Sequence, residues 1–424
     1  MTPTKGGLVI GAPASGSGKT TVSLALMRAL ARRGPVRAAK SGPDYIDPRF
    51  HEAACGHPSI NLDAWAMTPD RIRLLAAGDT PLIVEGAMGL FDGAPPQGQG
   101  STADLAVLLD LPVLLVIDAV RMAHSVAALV GGYVHHRPDV RFCGIILNRV
   151  GSARHEAMLR GALDRTDLPP VLGAIPRQDQ INHPSRHLGL VQAAERSDLS
   201  DWLDRLADLA EAHIDLDLLP DATPRPIECG PRTPPPAQHI AMAQDQAFAF
   251  AYPHLLADWR ERGAQISYFS PLADDPVPDA DLVILPGGYP ELHAGRLART
   301  QTFLKSLRNA SKLSDIYGEC GGYMVLGQTL TDAQGQTHPM AGLLDLDTSF
   351  ARRKLHLGYR QLEARHGPFA GQWRGHEFHY ATTTRAQGET LFAARDAAGD
   401  NLAPMGLRTG RVCGSFAHVI DRAV

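Results

Sequence analysis

Short apolar runs, broken only by Arg37, recur along the first half of the chain: Leu8–Ile10, Val36–Ala39, Leu82–Val84, Val113–Ile117, Gly144–Leu147 and Val171–Ile175. Runs of this length with no alternating polar position predict strands buried on both faces. Between them the spacing turns helical. Thr20–Arg33 is the clearest stretch, with Val22, Ala25, Leu26, Ala29 and Leu30 on one face, Arg32 and Arg33 at the negative end, and Gly34-Pro35 as the stop. Strand and helix in alternation predict an α/β fold, a parallel sheet with helices on both faces. The second half repeats the theme through Ile240–Ala243, Gln265–Phe269, Leu282–Leu285 and Ile316–Tyr317, and becomes more mixed after residue 340.

The two halves are separated by a proline-dense stretch, Pro220-Asp-Ala-Thr-Pro224-Arg-Pro226 and then Gly230-Pro231-Arg-Thr-Pro234-Pro235-Pro236. Proline at this density fits neither a helix interior nor a central strand and predicts a stiff, extended connector. The expected organisation is therefore two α/β domains, 1–220 and 239–424, joined by a linker at 221–238. Each domain is of ordinary length.

Composition narrows the setting. Apolar residues are 44%, charged residues 20%, and the formal net charge is −4, so neither a disordered chain nor a nucleic-acid coat is expected. The longest apolar runs, such as Leu111–Ile117, are far shorter than the ~20 residues of a membrane span. Met1–Leu8 has no basic segment leading into an apolar stretch, which argues against a secretory signal. Five scattered cysteines fit reduced thiols in a cytoplasm better than a disulfide framework.

The first strand leads into Gly11-Ala-Pro-Ala-Ser-Gly16-Ser-Gly18-Lys19-Thr20-Thr21, which resembles a phosphate-binding Walker A loop, with Pro13 where the usual first glycine stands. Glycines let successive N–H groups face phosphate oxygens, Lys19 adds a point charge, and the Thr20 hydroxyl can ligate Mg²⁺. A Gly/Ser turn without ligand is the plainer alternative. Two further strand ends carry acids, in Lys40-Ser-Gly-Pro-Asp44-Tyr45-Ile46-Asp47 and in Glu85-Gly-Ala-Met-Gly89-Leu-Phe-Asp92. Ligands of open parallel sheets bind at the carboxyl ends of strands, so Asp44, Asp47, Glu85 and Asp92 are expected to gather there as hard oxygen donors suited to Mg²⁺.

In the second half Ile316-Tyr317 leads into Gly318-Glu319-Cys320-Gly321-Gly322 and a helix-like segment. Small neighbours permit a tight strand-to-helix turn that exposes a nucleophile, and the helix start favours the thiolate. His418 is the candidate base, and the backbone of Leu285-Pro286-Gly287-Gly288-Tyr289-Pro290-Glu291 the candidate oxyanion donor, with Gly287 and Gly288 against the substrate. A merely buried Cys320 is the alternative. His376-Glu377-Phe378-His379 has part of a metal-ligand pattern without the helical zinc spacing or an evident third ligand, so a structural or substrate-side role is expected. His183–His187 and Arg352-Arg353-Lys354 are cationic clusters that are either solvated or face an acidic substrate.

Pro13–Thr21, Lys40–Pro48, Glu85–Gly93, Leu285–Glu291, Gly318–Gly322 and Arg374–Tyr380, in that order, resemble the a,c-diamide synthases of corrinoid biosynthesis, the cobyrinic and hydrogenobyrinic acid enzymes. The resemblance implies an N-terminal ATP-dependent amidoligase domain similar to dethiobiotin synthetase and a C-terminal class I glutamine amidotransferase domain. It implies that Gly16, Gly18, Lys19, Thr20 and Thr21 hold the ATP phosphates, that Lys40 supports the transferred phosphoryl group, and that Asn148 reads adenine. Asp47 and Glu85 would join Thr20 at Mg²⁺; Asp44, Tyr45 and Asp92 would serve the substrate or the acyl-phosphate step. Cys320 and His418 would form the glutaminase pair. The third member of the usual Cys-His-Glu triad would fall two residues past the histidine, where this chain has Ile420; the family often lacks that Glu, so a Cys-His dyad is the alternative and the group orienting His418 is left open. The implied partners are ATP, glutamine and a corrinoid-type polycarboxylic acid, with a homodimer as the assembly. Cobyric acid synthase and nickel-sirohydrochlorin diamide synthase share both domains and remain alternatives. So does a partition-type switch ATPase carrying an inactive glutaminase; those ATPases have a lysine where this chain has Ala14.

Two separate chemistries in one chain lead to a direct expectation. Cys320→Ser abolishes amidation driven by glutamine and leaves amidation driven by high ammonia; simultaneous loss of both would argue against separate sites.

Overall fold

The computed structural model describes residues 7–178, 185–186, 189–220 and 230–423. It divides into two compact units, Met1–Pro231 and Arg232–Val424. Residues 221–229, the first half of the expected linker, and His183 and His187 lie outside the described residues.

The first unit is a seven-stranded, all-parallel sheet in the order β3-β2-β4-β1-β5-β6-β7. Its strands are β1 (Leu8–Gly11), β2 (Arg37–Ser41), β3 (Ile60–Leu62), β4 (Leu82–Glu85), β5 (Val113–Asp118), β6 (Phe142–Val150) and β7 (Val171–Pro176). Six of them are the apolar runs. The edge strand β3 was not expected, because a polar Asn61 stands at its centre. That side chain is buried and donates to the carbonyls of Gly42 (2.9 Å) and Asp44 (2.7 Å), so it fastens the loop after β2. Helix α1 (Lys19–Arg33) begins at the phosphate loop and ends where Gly34 N–H bonds the Leu30 carbonyl. It packs on α3 (Leu199–His213), whose Leu203, Leu206, Ala207 and Ala210 are buried. Arg28 and Arg32 both reach Asp204, at 2.9 and 3.0 Å. Trp202 meets Phe50 edge-on at 6.3 Å and closes the core against α2 (Asp47–Cys55).

The second unit holds a six-stranded sheet. Gln265–Phe269, His239–Ala243, Leu282–Leu285, Asp315–Glu319 and Val412–Ser415 run parallel, and Leu407–Thr409 closes the edge antiparallel. The mixed region after residue 340 is mostly strand. It supplies the antiparallel sheet Ala393–Arg395, His356–Ala364, Gly371–His379, Ala417–Arg422, and part of a further four-stranded sheet. These strands are hard to see in the sequence because buried polar side chains, among them Glu377, His379, His418 and Asp421, interrupt their apolar pattern. Thr233 begins the unit's packing. Its N–H donates to Asp258 (2.7 Å) and its hydroxyl to Asp421 (2.8 Å) in the last strand, all three side chains being buried. No helix among the described residues is long and apolar enough to cross a membrane.

Close backbone approach sets the centre of this unit. A Cβ on Gly322 would lie 1.9 Å from the Leu285 carbonyl oxygen, and one on Gly318 would lie 2.7 Å from Leu326 Cδ1. Gly322→Ala therefore forces the backbone of Leu285 or of the turn to move. The expected cost is about 1–3 kcal/mol, read as a lower midpoint in denaturant unfolding of the full chain.

Candidate active sites in the two units

In the first unit the phosphate loop is built on left-handed glycines. Gly16 and Gly18 have φ of 81° and 86°, and a Cβ on Gly18 would lie 2.1 Å from Asn148 Nδ2. Asn148 is buried and donates from Nδ2 to the Ser17 carbonyl at 3.0 Å. The neighbouring Arg149 bonds the Gly16 carbonyl and pairs with Asp118 at 3.0 Å. The end of β6 thus braces the loop from two sides. The bracing by Arg149 was not anticipated, because it depends on which strand lies beside β5.

Lys19 donates to the carbonyls of Met88 and, at 3.4 Å, Ala14. Burial and the nearby Lys40 ammonium lower its pKa to about 8, against Glu85, Asp47 and Asp92. Lys40 and Glu85 face each other in register on β2 and β4. The Lys40 ammonium bonds Asp47 at 2.5 Å and Glu85 at 2.9 Å. Thr20 donates its hydroxyl proton to Glu85 Oε1 (2.7 Å), and His51 Nε2 meets Oε2 at 2.7 Å. His51, wholly buried, is a further site residue that sequence reasoning missed; its place on the inner face of α2 follows from packing alone. Burial opposes every charge here. For Lys40 the Asp47 and Glu85 carboxylates outweigh it and hold the ammonium well above its usual range. For Glu85, Lys40 and His51 outweigh it and hold the carboxyl well below. Asp47 goes the other way, pushed up by burial and by Asp44 against the pull of Lys40. Lys40 thus stands between the two carboxylates expected to hold a metal.

The remaining expected residues lie around this cluster. Asp44 Oδ1 accepts from the backbone N–H groups of Ile46 (2.7 Å) and Asp47 (3.1 Å), opening α2. Tyr45 is half-buried in the same turn, and Thr21 is half-buried in the first turn of α1. Asp92 is exposed and accepts from Gly89 N–H at 2.8 Å.

In the second unit Cys320 sits at φ 46°, ψ −104°, a strained turn between Asp315–Glu319 and the six-residue helix Gly321–Leu326. Its N–H is pinned to the Ser415 carbonyl at 2.8 Å, which places His418, three residues on, beside the sulfur. His418 is hydrogen-bonded to Cys320, and a Cβ on Gly287 would lie 2.3 Å from His418 Cε1 and 3.3 Å from Cys320 Cβ. Position 287 admits only glycine, and the loop expected to supply the oxyanion donors lies directly over the pair. A Cβ on Gly321 would lie 3.0 Å from Gly288 N, so the backbone of Gly288 stands beside the residue that follows the nucleophile.

The open question of what orients His418 has an answer in Glu319. Its Oε2 lies 3.5 Å from His418 Nδ1, while Oε1 accepts from Val419 N–H (3.0 Å) and Tyr317 hydroxyl (3.2 Å). Burial disfavours the imidazolium, but the Cys320 sulfur and Glu319 more than compensate and raise His418 to about 9. Nothing after the histidine is needed: the acid comes from the residue before the nucleophile. Its signal in the sequence is a carboxylate at a strand end that points to the same side as Tyr317 by the two-residue period. Cys55, Cys143 and Cys413, by contrast, are pushed up to about 12 by burial and stay thiols.

The expected half metal site gains a third residue. His356, Glu377 and His379 bring their donor atoms within 4.8 Å of one another. Their geometry is that of an ion pair. Glu377 receives Arg360 (2.7 Å) and His379 Nε2 (2.8 Å), and His379 Nδ1 meets the Ala381 carbonyl at 3.1 Å. The His379 ring is sandwiched between His356 (4.6 Å, 5°) and Phe416 (3.9 Å, 13°). Imidazole lone pairs lie in the ring plane, so two stacked parallel rings do not converge on one ion. The cluster supports Phe416 and, through it, the strand that carries His418.

Fold and sites define a two-unit, nucleotide-dependent glutamine amidotransferase. Residues 8–191 match the CobQ/CobB/MinD/ParA nucleotide binding domain, and residues 239–423 the CobB/CobQ-like glutamine amidotransferase domain. A Brucella anthropi protein named hydrogenobyrinate a,c-diamide synthase is 57% identical over 430 residues, covering 98% of each chain. Proteins of the same name from Sinorhizobium sp (52% over 431 residues) and Rhizobium meliloti (51% over 426) each cover 98% of this chain and are themselves covered to 99%. The chain belongs to the hydrogenobyrinate a,c-diamide synthase family.

The geometry makes Glu319 a positioning residue with a measurable signature. His418 loses its proton as pH rises through about 9, so glutamine hydrolysis falls above that pH. Glu319→Gln removes part of what raises the imidazole. The alkaline limb then moves to lower pH, and kcat drops on the order of tenfold or more. An unchanged pH–rate profile in the variant would deny the carboxylate this role.

Proposed function

We propose that the chain amidates the a- and c-acetate carboxylates of hydrogenobyrinic acid, with ATP as the activator and glutamine as the nitrogen source. The observation that carries this reading is that one chain holds two sets of catalytic groups and aligns over 98% of its length with proteins of that name. Cys320 sulfur attacks the glutamine amide carbon beneath the Gly287–Gly288 loop. His418 gives the leaving nitrogen its proton, and a glutamyl thioester and ammonia result. Water then releases glutamate. In the other unit the substrate carboxylate takes the γ-phosphoryl group of ATP, giving an acyl phosphate and ADP. Ammonia displaces phosphate to leave the amide, so each amide consumes one ATP and one glutamine.

The phosphate loop presents Lys19 and its backbone amides to the triphosphate, and Lys40 supplies positive charge beside the transferred group. Asn148, its nitrogen committed to Ser17, faces the base with its oxygen. Asp44, Tyr45 and Asp92 bracket the side on which the macrocycle's carboxylate enters. The family's divalent cation is read as Mg²⁺, and the donor set fits it: Thr20 directs its proton at Glu85 and leaves lone pairs for a cation, and Asp44, Asp47 and Glu85 outnumber the Lys40 they surround. Thr20, Asp47 and Glu85 would hold the ion, which supplies charge neutralisation along the phosphates. A homodimer in a cytoplasmic setting accompanies this reading, drawn from the family resemblance; sedimentation of the purified chain tests the first.

The deciding measurement offers metal-free and cobalt-bearing macrocycle side by side, with ATP, Mg²⁺ and glutamine. Mass spectrometry should show two amides on the metal-free acid, with two ATP consumed per product. Amidation of the cobalt form alone, or of carboxylates other than the two acetates, would replace this substrate with one of its relatives.

A further inference from the structure

Glu291 ends the loop that lies over Cys320, and nothing in the chemistry so far uses it. Pro290 before it packs on the turn of the nucleophile: a Cβ on Gly321 would lie 2.7 Å from Pro290 Cδ. The loop itself is firmly held. Gly287 accepts from Phe250 N–H at 2.9 Å, Gly322 N–H reaches the Pro286 carbonyl at 3.2 Å, and His293 N–H reaches that of Pro290 at 3.0 Å. At the end of this rigid segment both Glu291 carboxylate oxygens are withdrawn from solvent, with no hydrogen-bond partner in any other of the described residues. A buried carboxylate left this way is costly, and native proteins rarely keep one without a ligand or a catalytic reason. Burial pushes the carboxyl up to about 8, against the pull of Arg353, the positive charge whose field reaches it. Arg353 belongs to the exposed cluster Arg352-Arg353-Lys354, for which the reaction has so far given no use.

A carboxylate at the end of the loop over the thiol, with a guanidinium whose field reaches it, complements the two charges of an α-amino acid zwitterion. Its reacting amide lies at the sulfur, and its charged head lies a few carbons away. We propose that Glu291 receives the α-ammonium of glutamine and Arg353 its α-carboxylate, so that this pair selects a free amino acid amide over other amides. The assignment rests on reading Cys320 as the nucleophile of a glutaminase. Arrival of an ammonium gives the carboxylate the charge-assisted hydrogen bond it lacks. The loop that supplies Gly287 and Gly288 thereby holds both the reacting carbonyl and the head group.

The test uses the full-length protein and three amides. These are glutamine, glutaramate (glutamine without its ammonium) and 4-aminobutanamide (glutamine without its carboxylate). Ammonia release by the wild type with glutamine comes first; its absence would overturn the glutaminase reading itself. With that activity present, the wild type should prefer glutamine to either truncated amide by at least about tenfold in kcat/KM. Glu291→Gln should lower kcat/KM for glutamine by about tenfold to a hundredfold, mostly through KM, and leave glutaramate unchanged. Arg353→Gln should do the same for glutamine while leaving 4-aminobutanamide unchanged. Equal losses on all amides, wild-type kinetics in Glu291→Gln, or a wild type indifferent to the missing ammonium would each overturn the assignment. The wild-type comparison requires no variant to fold.

Discussion

The first unit depends on a single buried ammonium. Lys40 lies between Asp47 and Glu85, and Glu85 also receives Thr20 and His51, so one cluster ties β2, β4, α1 and α2 at the carboxyl end of the sheet. Ion pairs this deep are poor sources of stability, since the desolvation of the charges roughly cancels their attraction, while loss of one partner costs about 3–5 kcal/mol. Their value here is electrostatic. The parallel register that sets Lys40 opposite Glu85 also brings the phosphate loop beside them, because β1 is the next strand over. Strand order therefore decides the charge that a phosphoryl group would meet.

The second unit reaches the same end through close backbone approach. Glycines at 287, 318 and 322 let three segments come nearer than side chains allow, and Cys320 takes a positive φ where they meet. The geometry is held from outside by the Cys320–Ser415 backbone bond and by the stacked His356, His379 and Phe416 rings. The imidazole is thus delivered to the sulfur by a strand almost a hundred residues further along the chain, which is why so many of the supporting groups lie outside the short motif around the cysteine.

What could be read in the sequence follows from these constraints. Buried parallel strands announce themselves as continuous apolar runs, so the strand core, α1, the phosphate loop and the cysteine turn were all legible. Groups whose role depends on which strands are neighbours were not. Ile420 stands where the acid of the usual Cys-His-Glu triad would fall, and Glu319 approaches His418 from the residue before the cysteine. The edge strand hid behind Asn61, whose polar side chain is satisfied only by the Gly42 and Asp44 carbonyls of the folded loop. His356 joins Glu377 and His379 only once the hairpin closes, and the same closure stacks the two rings face to face, so that they pack together rather than hold a metal.

Across both units, the pairing of a buried charge separates support from readiness. Lys40 is engaged by carboxylates and held well above its usual range, whereas Lys19, among the described residues, hydrogen-bonds only carbonyls and is lowered to about 8 by burial and by Lys40. Lys40 sets a field; Lys19 is the cation with capacity left for an anion. The same contrast divides the acids around Cys320. Glu319 is engaged by Val419 N–H, the Tyr317 hydroxyl and His418, and so it orients. Glu291 has its oxygens withdrawn from water with no such neighbours among the described residues. Since burial acts on Lys40, Lys19 and Glu291 alike, what differs is whether the protein itself supplies the compensating partner, and where it does not, a substrate carrying the complementary charge completes the site.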